Sequence, residues 1–151
     1  MSFIYPEIYK YLQELSNKIN ELYNINPRIY IVYSKENTSI EGSCMPAYRK
    51  DRIYLEVIIP HTYKTFGKKH QVEVASTLIH EYGHYLTEIT LKGKERVESS
   101  REYEQSQRKR KYNEQSNWTL TKKLAKQLGL WNKLFFKVCK ESYYTSNLKF
   151  D

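Results

Sequence analysis

Cysteine is scarce in this chain: Cys44 and Cys139 are the only two among 151 residues. Two thiols so far apart make no disulfide framework. The fold must rest on a buried core, and a chain of this length can form one. No apolar run approaches the roughly 20 residues that a helix needs to cross a bilayer. The opening residues, Met1-Ser2-Phe3-Ile4-Tyr5-Pro6, carry neither the basic nor the apolar stretch of a secretory signal. The expectation is a cytoplasmic protein with reduced thiols and no membrane partner. Glycine and proline are sparse as well, and neither a linker nor a repeat breaks the pattern, so residues 1–151 read as a single domain.

Basic charge is in excess, with a net +8. A scattered excess serves solubility, but Arg108-Lys109-Arg110-Lys111 is one compact run. Such a run favours acidic partners, nucleic acid among them. Lys122, Lys123 and Lys126 follow it, with Tyr103 and Tyr112 nearby to stack on exposed bases.

Apolar residues recur at helical spacing in Ile8, Leu12, Leu15, Ile19 and Leu22, so residues 4–23 form an amphipathic helix. Residues 28–33 are β-branched and aromatic, and residues 43–49 and 52–59 read as two more strands. Lys50-Asp51 fits a tight turn between the latter two. Helical spacing returns from His70 to Thr90, through Val72, Ala75, Ile79, Leu86 and Ile89. Residues 95–111 are polar and carry no periodicity. Residues 114–128 form a helix with Trp118, Thr121, Ala125 and Leu128 on one stripe and Gly129 as its stop. A last amphipathic segment covers residues 131–143. The order is an N-terminal helix, three strands in a small, mostly antiparallel sheet, a central helix and C-terminal helices. That is an α+β architecture.

The central helix carries His80-Glu81-Tyr82-Gly83-His84. Two histidines four apart lie one turn apart on one helix face, where both imidazoles can grip one metal ion. Glu81 lies beside them as a general base for a zinc-activated water, which attacks a peptide carbonyl. Gly83 marks a point of close approach on the same helix.

A catalytic zinc needs a third protein ligand and one open position. The four histidines are His61, His70, His80 and His84. None follows His84, which excludes a downstream third histidine, and His70 is too far back along the helix. Acidic residues and cysteine remain. Glu88 is two turns from His80. Glu98, Glu102 and Glu104 sit in a solvated charge run. Glu114 differs, because it opens the helix with the buried stripe, where a carboxylate needs a partner. Glu114 is therefore the favoured ligand, with Glu98, Glu102, Glu104 and Cys44 as alternatives.

The stretches Leu78-Ile79-His80-Glu81-Tyr82-Gly83-His84 and Glu114-Gln115-Ser116-Asn117-Trp118 resemble the ImmA/IrrE-type metallopeptidases, which are compact gluzincins. Ala47-Tyr48 and Arg52-Ile53-Tyr54-Leu55 fit the hairpin of such enzymes. The resemblance implies a minimal zincin-like domain, bound Zn2+ and intracellular cleavage of a protein or peptide, sometimes a DNA-binding regulator. In the usual register of that family Asn113 would hold the place of the glutamate. A weaker likeness links Glu41-Gly42-Ser43-Cys44 to peptide deformylases, which use an upstream cysteine as a ligand. A third reading is a basic nucleic-acid-binding protein with a structural or vestigial zinc site.

Overall fold

The computed structural model describes residues 4–45, 54–90 and 107–142, except the side chains of residues 45, 88–90, 107–116 and 142. Helix α1 spans Tyr5–Tyr23. Pro6 sits in its first turn, where a missing N–H is harmless, and Asn24 ends it in the left-handed conformation (φ 50°). The expected stripe is buried at Ile8, Leu12, Leu15 and Ile19. Leu22 is a correction: it lies in the last turn and is 53% exposed.

Three strands follow, β1 (Arg28–Ser34), β2 (Glu41–Met45) and β3 (Tyr54–Pro60). They form one sheet in the order β1-β3-β2. The β2–β3 pair is antiparallel, as expected, with Gly42 opposite Val57 and Cys44 opposite Leu55. The β1–β3 pair is parallel, with Ile29 opposite Leu55 and Ile31 opposite Val57. The sheet is therefore mixed, not mostly antiparallel. The strand order has its cause in β3. Its run Leu55-Glu56-Val57-Ile58-Ile59 is the most apolar of the three, and Leu55, Val57 and Ile59 are essentially fully buried. A strand of that kind takes the centre of a sheet, which sends β1 and β2 to its two sides. Residues 46–53, and with them the Lys50-Asp51 turn, lie outside the described residues.

Helix α2 (Lys68–Thr90) is the centre of the molecule. Every residue from Val74 to Gly83 is buried, as befits a helix covered on all sides. It packs against α1, β2, β3 and two further helices, α3 (Gln107–Gln127) and α4 (Lys133–Ser142). Its buried hydroxyls are satisfied locally: Ser76 and Thr77 both donate to the Glu73 carbonyl, at 3.1 and 2.7 Å.

Helix α3 starts at Gln107, earlier than the expected 114, and buries Asn117, Trp118, Thr121, Leu124 and Ala125. Gly129 (φ 71°) turns the chain toward α4, and the Asn132 side chain accepts from the Phe135 N–H at 2.8 Å. The α+β architecture thus holds, with four helices and a small mixed sheet among the described residues. No described helix is long and apolar enough to cross a membrane.

Candidate metal centre

The middle of α2 brings the motif residues together as their spacing demands. One donor atom each from His80, Glu81 and His84 lies within 4.8 Å of the others. The two imidazole rings meet edge to face, 4.8 Å between centroids. His80 Nε2 stands 4.0 Å from Glu81 Oε1. His80 and Glu81 are buried, whereas His84 is half-buried, so the group opens on the His84 side. Two imidazoles and a carboxylate are a donor set that suits a borderline-soft divalent ion.

The residues between Glu81 and His84 tie α2 to its neighbours. Tyr82 is fully buried and points to α1. Its hydroxyl donates to Asn20 Oδ1 at 2.6 Å and lies 2.8 Å from Ser16 Oγ. Burial pushes the Tyr82 phenol up to about 12, partly opposed by those two hydrogen bonds. Gly83 faces α3. A Cβ there would fall 1.8 Å from Asn117 Oδ1 and 2.9 Å from Asn117 Cγ, so only glycine fits. The expected close approach at Gly83 is thus present, and Asn117 is what approaches.

Asn117, quoted in the second stretch of the family resemblance but given no role there, is the polar neighbour of the motif. It is 1% exposed. Its Nδ2 donates to the His80 carbonyl at 3.1 Å and lies 3.2 Å from His80 Nδ1. One amide therefore touches both the backbone and the ring of the first histidine. Its Oδ1 is buried with no hydrogen-bond partner among the described residues. A ring turned to bind a metal through Nε2 carries its proton on Nδ1, and that oxygen could accept it after rotation of the amide.

Strand β2 approaches from the other side. A Cβ on Gly42 would fall 2.7 Å from Thr77 Cγ2 and 2.9 Å from Glu81 Cγ. The backbone of an edge strand therefore rests on the side chain of the proposed base. Cys44, two residues on and on the same face, is half-buried near Tyr85. It is not part of the His80–Glu81–His84 group, so nothing favours the deformylase-like ligand set. Cys139 is also outside the group; it is buried in the core, which pushes its thiol up to about 12. His70 stacks on Tyr63 at 4.2 Å and bonds to the Thr65 carbonyl.

Glu114 falls on α3, but its side chain is outside the described residues, as are those of Arg108, Lys109, Arg110 and Lys111. Position 114 precedes Asn117 by three residues and Trp118 by four. Helical spacing therefore sets position 114 one turn before Asn117 and Trp118 on α3. Glu98, Glu102 and Glu104 lie outside the described residues altogether. No protein-family model matches the chain, and no curated protein and no solved structure matches it at a significant level.

Proposed function

We propose that the protein is a zinc-dependent peptidase in which His80, His84 and Glu114 hold the metal and Glu81 is the general base. The observation that carries this is the convergence of the His80, Glu81 and His84 donors on one helix, the first two buried and His84 half-buried, beside an edge strand. When bound, zinc supplies a Lewis acid for a peptide carbonyl and a water acidified toward neutrality. Glu81 takes the proton from that water and returns it to the departing amine. His80 is held for its task by Asn117, which grips both its carbonyl and its ring. Glu81 is held by contact with Gly42. Among the described residues β2 pairs only with β3, so its other edge can take an extended peptide by main-chain hydrogen bonds. A substrate docked there would lie along the strand that touches Glu81.

The test couples metal content to cleavage of a fluorogenic peptide library. The purified chain should carry about one zinc ion, and His80→Ala should lose it. Glu81→Gln should keep the zinc, since Glu81 is not a ligand, and lose activity by about 10²- to 10⁴-fold. Full activity in Glu81→Gln, or no zinc at equimolar supply, would overturn the assignment.

A further inference from the structure

We propose that the outer faces of α3 and α4 form a lysine surface that binds the phosphate backbone of duplex nucleic acid without sequence preference. Between Asn117 and Ser142 stand six lysines and a single acidic residue, Glu141. Lys123, Lys126, Lys133, Lys137 and Lys140 are exposed, and Lys122 is half-buried. Lys133, Lys137 and Lys140 recur at i, i+4 and i+7, so they line one stripe of α4. The opposite side of that helix, Phe135, Val138 and Cys139, is buried. On α3, Lys122, Lys123 and Lys126 likewise stand away from the buried Asn117, Thr121 and Leu124.

Trp131, in the turn between the helices, gathers two of the α3 lysines. Lys122 Nζ lies 5.4 Å and Lys126 Nζ 5.9 Å from its ring centroid. Trp131 is itself wedged among Trp118, Phe135 and Phe136, at 5.8 to 6.0 Å. Long lysine side chains normally roam. Here one anchored ring holds two of them together, although like charges at i, i+4 repel. An anion between the two ammonium groups relieves that repulsion.

The chemistry selects the polyanion. Lysine is a point charge that neutralises phosphates without reading bases. The indole of Trp131 is covered by lysine heads, so this face offers no platform for stacking unpaired bases. A duplex backbone fits better than a single strand. Anionic lipid fits less well, because membrane-surface helices insert an apolar face and that of α4 is already buried. Among the described residues the exposed large apolar side chains, Tyr9, Leu22, Tyr30 and Val32, lie on α1 and β1 instead. The surface uses no residue of the metal centre and stands whether or not zinc chemistry does.

The experiment follows binding of the full chain to a fluorescent 20-base-pair DNA of random sequence from 50 to 200 mM salt. Six phosphate contacts predict a log–log slope of about −5 and an affinity loss of about 10³-fold over that range. Changing Lys133, Lys137 and Lys140 to Gln should flatten the slope to about −2.7 and the loss to about 40-fold. The control changes Lys10, Lys18 and Lys35 to Gln, which removes the same net charge from α1 and the loop after β1. It should leave the slope unchanged. Three results would overturn the proposal: no binding at 50 mM salt, equal effects of the two triple variants, or tighter binding to phosphatidylserine vesicles than to the duplex.

Discussion

Gly83→Ala is the sharpest probe of how the motif helix is held. Replacing glycine by alanine inside a helix normally gains about 1 kcal/mol. Here the new methyl would fall 1.8 Å from Asn117 Oδ1, and all three of its nearest atoms belong to Asn117. The Asn117 side chain must leave, and it loses its hydrogen bond to the His80 carbonyl. Overpacking a core costs about 1–3 kcal/mol, and stranding buried polar groups costs about 1–3 more. Less the helix gain, the net loss is about 1–5 kcal/mol. Asn117→Ala removes every one of those three atoms. In that background Gly83→Ala should stabilise by up to about 1 kcal/mol, a reversal of sign worth about 2–6 kcal/mol of coupling. Urea unfolding followed by circular dichroism measures all four corners of the cycle, provided the m-values agree. A neutral Gly83→Ala, or a loss undiminished by Asn117→Ala, would refute the contact.

Other expectations follow from the same geometry. Gly42→Ala would set a methyl 2.7 Å from Thr77 Cγ2 and 2.9 Å from Glu81 Cγ. It should lower peptide cleavage by about tenfold or more, since a misplacement of about 1 Å can cost 10²-fold, while zinc content stays near that of the unmodified chain. Cleavage unaffected by the substitution would detach β2 from the chemistry. Tyr82→Phe leaves Ser16 and Asn20 without the phenol and should cost about 1–2 kcal/mol in chemical denaturation. The Tyr82 phenol is raised from 10.0 to about 12 in the folded state. Its contribution is therefore fully present below pH 10 and lost as pH rises toward 12. The stability gap between the unmodified chain and Tyr82→Phe should narrow over that interval, and a constant gap would place the phenol in a less buried setting.

The helices were legible because their signal is local. A stripe such as Ile8, Leu12, Leu15 and Ile19 is written in a few turns of chain, and Gly129 marks its own turn. Leu22 kept the period yet is exposed, because period says nothing about where a neighbour ends. The parallel β1–β3 pair was not legible, since strand partners are chosen across the fold. The strongly apolar run of β3, broken only at Glu56, hinted at a central strand but not at the direction of its partners. His80, Glu81 and His84 were legible for the same reason as the helices: four residues on a helix bring two rings together whatever surrounds them. Asn117 meets His80 from a helix 37 residues further on; the missing side chain at Gly83 announced a close approach, and the Asn117-Trp118 stretch carried the partner without giving it a role. The lysines of α4 were passed over because they are spaced through an apolar sequence. The helix gathers them into a stripe.

Tyr82 and Gly83 also bear on when the metal site takes shape. One is pinned to α1 by two hydrogen bonds and the other is pressed against α3, and neither contact involves a metal ion. In a zinc finger the ion and the fold arrive together. Here the contacts to the first imidazole and its backbone are made by Asn117, so the proposed site would be shaped by protein groups. If zinc is bound as proposed, its loss should leave a standing scaffold that can be refilled, not an open chain exposed to degradation.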